Sequence, residues 1–240
     1  MNKLIQGDCL EVMKDIPDKS IDMILCDLPY GTTACKWDTI IPFEPLWEQY
    51  KRIIKDNGAI VLTAQTPFDK VLGVSNLEIL RYEWIWQKEQ GTGGGNANKM
   101  PLKEHENILV FYKKLPIYNP QFTEGKPYKI TRKKPSVNSV YGKTGFNETF
   151  VKINNGERYP KSIIRFNKQT GLHPTQKPVA LFEYLIKTYT NEGDLVLDNC
   201  AGSGTTGVAC KNLNRNYILI EQDEKYCQVI KDRIGDIEIT

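Results

Sequence analysis

The chain has 240 residues, 40% hydrophobic and 25% charged, which allows one full α/β domain with a modest insertion and argues against wholesale disorder. No apolar run reaches the ~18 residues of a membrane helix, and the N-terminus meets Asp8 before a signal-peptide core could form, so a soluble, cytoplasmic protein with no membrane partner is expected. The net charge of +3 hides a division: residues 88–168 hold 16 Lys+Arg against 6 Asp+Glu, and the remainder holds 16 against 23, so a basic middle sits in an acidic frame and suggests a polyanion partner.

In chain order, Lys3–Gln6 reads as a short strand and Ile21–Cys26 as a buried one that stops at Asp27-Leu28-Pro29-Tyr30-Gly31. Helical spacing of apolar residues covers Pro42–Lys55 and closes on Asn57-Gly58, a helix stop. Ala59–Thr63 is a buried strand, followed by a short helix opened by Pro67, and Tyr82–Gln87 and Asn107–Tyr112 are two further strands. From Lys113 to Gly171 neither period persists; turn residues, Lys/Arg clusters and interleaved aromatics point to a loop-rich insertion. A helix from Pro178 to about Tyr189, a strand at Leu195–Leu197, a helix over Gly204–Leu213, a strand at Tyr217–Ile220 and a helix over Glu224–Ile234 complete the chain. Strands alternating with helices imply a mostly parallel sheet covered on both faces. Six scattered cysteines without a C-x-x-C pair, and only two histidines, speak against a metal site and a disulfide framework.

The strand at 195–197 runs into Asp198-Asn199-Cys200-Ala201-Gly202-Ser203-Gly204-Thr205-Thr206-Gly207, a G-x-G-x-x-G between strand and helix, and Glu221 ends the next strand 19 residues after Gly202. Glycines let the backbone approach a ligand, and a strand-end acid can accept ribose hydroxyls, so the pattern predicts a nucleoside cofactor. NAD and S-adenosylmethionine both contain adenosine. Asp198, just before the loop, would repel a pyrophosphate but could serve the ammonium of a methionine moiety, which favours S-adenosylmethionine.

Asp27-Leu28-Pro29-Tyr30 ends a buried strand at the carboxyl edge of the sheet, where open α/β proteins bind ligands. Alone, it is also an ordinary strand-ending turn. Beside a methyl donor it acquires a chemistry. The Asp27 carboxylate and the Leu28 carbonyl could hold both hydrogens of an exocyclic amino group and draw its nitrogen toward sp³ geometry. Pro29 stiffens the turn, and Tyr30 offers a face for a base swung out of the helix.

With Asp27–Tyr30 first, then His173-Pro174-Thr175-Gln176-Lys177-Pro178, then Asp198–Thr206, the sequence resembles the amino-methylating DNA methyltransferases of the β arrangement, over residues 3–114 and 172–235. The resemblance implies a Rossmann-like α/β fold with a seven-stranded, mostly parallel sheet and a permuted motif order: residues 1–114 the catalytic half, 115–171 a target-recognition insertion, 172–240 the cofactor-binding half. It assigns Asp8 and Cys9 to the adenine end of S-adenosylmethionine, Thr175, Gln176 and Lys177 to its methionine carboxylate, and Asp198, Ala201, Gly202, Ser203, Gly204, Thr205 and Glu221 to the rest, with Asp27 close by. Leu28 stands where proline is usual, and Asn199-Cys200 replaces the usual Pro-Phe, which removes an aromatic near the methionine part.

An acid at position 27 is commoner for adenine N6 in that family, whereas cytosine N4 enzymes often carry serine; N4-cytosine stays the alternative. Duplex DNA is the expected partner, gripped by Arg132, Lys133 and Lys134. A homodimer and a companion restriction endonuclease stay open. Methylation of RNA or protein amino groups, and a catalytically idle DNA-binding protein of this fold, are the rival functions.

Overall fold

A computed structural model describes residues 2–33, 35, 38–132, 150–169, 171, 176–235 and 237–240. In chain order its elements are β1 (Asn2–Gln6), α1 (Cys9–Lys14), β2 (Ile21–Asp27), α2 (Phe43–Ile53), β3 (Ile54–Ala64), α3 (Phe68–Val74), β4 (Leu80–Thr92), β5 (Lys103–Phe111), β6 (Thr123–Glu124), β7 (Tyr128–Arg132), β8 (Phe150–Asn154), β9 (Glu157–Arg158), β10 (Ile163–Arg165), α4 (Val179–Tyr189), β11 (Leu195–Asp198), α5 (Thr205–Asn212), β12 (Asn216–Glu221) and α6 (Glu224–Ile234). They form two compact units, Met1–Asn119 with Ser162–Thr240, and Pro120–Lys161.

The first unit is built on one sheet of order β1-β12-β11-β2-β3-β5-β4-β10. Its neighbours pair in parallel except β5, which runs antiparallel to both β3 and β4. The continuous buried run Met23–Cys26 in β2 is what a parallel strand covered on both faces requires. One face packs Met13, Leu46, Tyr50 and Leu72 from α1, α2 and α3; the other packs Leu181, Leu185, Ala209 and Ile230 from α4, α5 and α6. The two halves of the chain meet where β11 lies between β12 and β2, so β2 and β11 end side by side.

The sheet has eight strands where seven were expected. The eighth, β10, is a three-residue parallel edge on β4 that the sequence hides among turn residues. The stretch at 162–169 therefore belongs to the sheet unit rather than to the insertion. α2 ends at Ile53, and β3 starts at once, running through Asn57-Gly58. Gly58 is not a helix stop: a Cβ there would lie 2.8 Å from the Asp22 carbonyl oxygen, so glycine permits close approach of β3 to β2. Among the described residues the second unit holds two antiparallel pairs, β6 with β9 and β7 with β8, and exposes Ile130, Val151 and Ile153. No helix of the described residues is long and apolar enough to cross a membrane.

Candidate active site

β2 ends its buried run at Asp27, and in register beside it on β3 stands Thr63, fully buried. Asp27 Oδ1 accepts from the Thr63 hydroxyl and from the Tyr30 hydroxyl, the latter at 2.6 Å. Its Oδ2 accepts from Lys177 Nζ at 2.6 Å. A carboxylate has about four acceptor sites. Three are taken, so one on Oδ2 is left for a substrate. The Tyr30 ring stacks on Phe68 at 5.1 Å between centroids, and burial pushes its phenol well above the usual range, so it stays a neutral donor. The turn that follows is clamped by Asp38, whose carboxylate accepts from the amides of Gly31, Thr32 and Thr33 at 2.8, 2.9 and 2.7 Å. Burial opposes the Asp38 charge, but those amides and the Thr33 hydroxyl outweigh it and hold its pKa below the ordinary value.

Behind Asp27 runs a line of buried charge. Lys177 Nζ also lies 3.4 Å from Glu106 Oε2, and Glu106 Oε1 lies 2.6 Å from Lys88 Nζ. The side chains of Lys177, Glu106 and Lys88 are 6%, 11% and 8% exposed. Burial alone would neutralise such groups. Asp27 and Glu106 instead hold the Lys177 ammonium above its ordinary pKa, and the two lysines hold Glu106 below its own.

The glycine loop joins β11 to α5. Gly202 and Gly204 have φ of +53° and +78°, a region that side chains with a Cβ avoid. Gly207 meets a different constraint, since a Cβ there would lie 2.5 Å from Ile234 Cδ1 and 2.7 Å from Leu219 Cδ1. Asp198 is 3% exposed; its Oδ1 accepts the Cys200 amide at 3.1 Å and its Oδ2 accepts the Thr206 hydroxyl. Burial pushes its carboxyl up to about 6 against those bonds. Glu221 Oε2 accepts the Gly202 amide at 2.7 Å and its Oε1 the Asp223 amide at 2.9 Å, and burial raises its pKa too. Asp8 caps α1, its Oδ1 accepting the amides of Leu10 and Glu11 at 2.8 and 3.3 Å. Arg233 reaches from α6 to donate to the Ser203 carbonyl at 2.9 Å, and the Thr205 hydroxyl donates to the Lys177 carbonyl at 3.3 Å.

One cavity of about 770 Å³ joins these parts. Asp8 and Cys9 line it at one end with Glu221, Ala201–Ser203, Thr205 and Asp198; Asp27–Tyr30, Gln176, Lys177, Glu106 and Lys88 line it at the other. The volume is in the range of roughly 300–1,000 Å³ that holds a nucleoside-sized ligand. The donor set fits S-adenosylmethionine. Acids with spare lone pairs stand at both the Glu221 and Asp198 positions, and the glycine backbone runs alongside. Gly204 does not line the cavity; it shapes the loop from behind, against Ile230.

Two expected cofactor contacts are shared with bonds inside the protein. Lys177 is engaged by Asp27 and Glu106, which leaves one of its three N–H donors for a methionine carboxylate. Both Asp198 oxygens already hold the loop, so any ammonium must share them. Thr175, His173, Lys133 and Lys134 lie outside the described residues, and Arg132 closes β7. Sequence reasoning missed Thr63, Asp38, Lys88, Glu106 and Arg233. A signal existed for two of them: Lys88 continues the alternation Trp84-Trp86, and Glu106 the alternation Val110-Ile108, so each sits on a buried strand face where a charge needs a partner. Among the described residues no cluster of three or more His, Cys, Asp or Glu could hold a metal ion.

Comparison with known proteins agrees with this geometry. Residues 21–232 match a family described as DNA methylase, of the N6/N4 type. The chain is 31% identical to the type II methyltransferase M2.MboI of Moraxella bovis, over 98% of this chain and 88% of that protein. It is 30% identical to the type II methyltransferase M.HpaI of Haemophilus parainfluenzae, over 97% and 74% respectively. Among solved structures, M1.HpyAVI in complex with SAM aligns with a TM-score of 0.67 at 27% identity, covering 97% of this chain and 100% of that one. The cytosine-N4-specific PvuII DNA methyltransferase aligns with a TM-score of 0.72 at 16% identity, covering 100% and 89%, a likeness of fold alone.

Proposed function

Since the chain belongs to the N6/N4 DNA methylase family, we propose that it moves a methyl group from S-adenosylmethionine to the exocyclic N6 of an adenine flipped out of duplex DNA. The observation that carries this reading is that Asp27, with one acceptor site left, shares a cavity with the glycine loop and Glu221. The acid at position 27 is what favours adenine over cytosine.

When bound, the cofactor supplies a methyl on a positively charged sulfur, and its C–S bond breaks as the N–C bond forms. Asp27 Oδ2 accepts one amino hydrogen and the Leu28 carbonyl the other, so the nitrogen lone pair is freed from the ring and turned toward the methyl. The proton lost from nitrogen leaves by way of Asp27 to solvent. Thr63, Tyr30 and Lys177 fix the carboxylate in place, so the amino group it holds meets the methyl in a set orientation. Glu221 accepts the ribose hydroxyls with the lone pairs not used by Gly202 and Asp223, and Asp8 offers its carboxylate to the adenine amino group. Residues 120–161, the second unit, are the target-recognition insertion, with Arg132, Lys133 and Lys134 on DNA phosphates.

Nucleosides from DNA incubated with the protein and S-adenosylmethionine, analysed by mass spectrometry, test this directly. N6-methyldeoxyadenosine is the expected product. N4-methyldeoxycytidine as the only product would overturn the adenine assignment, and methylated RNA or protein in place of DNA would overturn the substrate.

A further inference from the structure

The line of charge behind the catalytic turn has more parts than Asp27 needs for its own burial. One lysine would neutralise one carboxylate, yet here two acids and two lysines alternate: Asp27, Lys177, Glu106, Lys88. They come from four separate pieces of chain, the end of β2, the interiors of β5 and β4 and the segment before α4, and all four line the cavity. Buried ions cost several kcal/mol each unless paired, so such an arrangement persists only where the pairs are complete. The weak joint is Glu106 Oε2. It is buried, makes no hydrogen bond of good geometry, and lies 3.4 Å from Lys177 Nζ, whereas the other two joints are 2.6 Å. Lys177 thus leans on Asp27 and is steadied from behind by Glu106.

We propose that Glu106 is a positioning residue for methyl transfer: anchored by Lys88, it holds the Lys177 ammonium against Asp27 Oδ2, so that the one remaining acceptor site of Asp27 stays open and aimed at the target amino group. The inference rests on the reading of Asp27 as the acceptor of that amino group. Among the described residues, the charged groups within 4 Å of Lys177 Nζ are Asp27 and Glu106, with the Tyr30 ring 5.4 Å from its ammonium; Lys88 pairs with Glu106. Both acids raise the Lys177 pKa against burial. Take Glu106 away and only Asp27 opposes burial, so Lys177 loses its proton at lower pH and Asp27 loses its clamp.

The test uses the full chain with a DNA substrate and S-adenosylmethionine, in single-turnover methyl transfer from about pH 6 to pH 10. Glu106→Gln is expected to slow transfer by about tenfold at neutral pH, with cofactor affinity kept within about twofold by calorimetry. Its rate should fall further toward the alkaline end of that range, where the natural chain stays level, because Lys177 without Glu106 loses its proton at lower pH. Lys88→Met leaves both anions on Lys177, and should slow transfer by several-fold with no alkaline fall. Melting curves check that each variant folds, and if Glu106→Gln does not, the Lys88→Met rate and profile decide. A Glu106→Gln rate within about twofold of the natural chain, or a loss equal at every pH, overturns the proposal; so does an unchanged rate in Lys88→Met. Asp27→Ala is run alongside: if it retains transfer, the reading of Asp27 itself fails, whatever Glu106 does.

Discussion

Asp198→Asn separates what the cofactor loop costs the fold from what it does for binding. Asp198 is 3% exposed, and burial moves its titration from an ordinary 3.8 up to about 6 even though the Cys200 amide and the Thr206 hydroxyl donate to it. Keeping it ionised therefore costs about 3 kcal/mol against a neutral group of the same shape, at ~1.4 kcal/mol for each tenfold. A raised carboxyl pKa gives stability that is complete below the unfolded value of 3.8 and lost as pH rises through about 6, so the cost is complete above about pH 7 and roughly half near pH 5. Asparagine keeps the acceptor for the Cys200 amide, and the Thr206 hydroxyl can turn to accept from the new amide. At about pH 7.5 the variant should be more stable by up to about 3 kcal/mol, a Tm gain of roughly 6–12 °C for a chain of this size, read by calorimetry without cofactor. Near pH 5 the gain should shrink to about half. Binding moves the opposite way: a neutral amide cannot pair with an ammonium, and the Kd for S-adenosylmethionine should rise by about tenfold or more. A Tm at or below that of the natural chain at neutral pH, or a gain that persists undiminished in acid, would refute the account of Asp198 as a charge held at a cost for the cofactor.

Other changes probe the remaining parts. Asp27→Ala should abolish methyl transfer while calorimetry still finds cofactor binding; equal loss of both would make Asp27 a structural residue. Gly207→Ala drives a methyl group to within 2.5 Å of Ile234 Cδ1 and 2.7 Å of Leu219 Cδ1, so it should destabilise by about 1–3 kcal/mol in a denaturant melt, and an unchanged midpoint would mean that α5 has room to shift. Neutralising Arg132, Lys133 and Lys134 together should weaken DNA binding and flatten the dependence of log K on log salt by about 3, one for each phosphate no longer neutralised. An unchanged slope removes those residues from the interface.

How far the sequence could be read depended on whether a feature was local. The buried strands and the amphipathic helices α4 and α6 are written in the periodicity of their own residues: the structure places β1, β2, β11, β12, α4 and α6 within a residue or two of expectation, whereas β3 and β5 start four or five residues earlier and β4 runs five residues further, through mostly polar positions. The glycine loop and Asp27–Tyr30 were legible because short motifs carry their own geometry. α1 is hard to see in sequence because its six residues hold only Met13 fully buried, and its start is marked by Asp8, which the family resemblance assigns to the cofactor. β10 is hidden because three residues show no period. The charge ladder was illegible for a deeper reason: Asp27 and Lys177 are 150 residues apart, and only the order β2-β3-β5-β4 brings Glu106 and Lys88 beside them. A motif names Lys177 but not its partner, and a lysine next to a cofactor segment looks the same in sequence whichever anion it meets.

The two ends of the cavity treat buried charge in opposite ways, and the difference follows from the substrates each end takes. Around Asp27 the acids are matched by lysines, and the four groups sum to zero. That suits an uncharged base, which would bind no better for a net charge and needs only a fixed acceptor. Around Asp198 and Glu221 no salt bridge is made among the described residues; backbone amides and a hydroxyl are their donors, and burial raises both carboxyls. Uncompensated buried acid is costly in the folded chain, and a ligand that brings positive charge offsets that cost. S-adenosylmethionine carries positive charge on sulfur and on its amino group against one carboxylate, a net of +1; in the proposed reading Asp198 takes the ammonium and Glu221 the neutral ribose hydroxyls. The acidic frame therefore keeps its sign inside the cavity only around Asp198 and Glu221, where no lysine pairs with the acids among the described residues, while the surroundings of Asp27 are neutral by pairing.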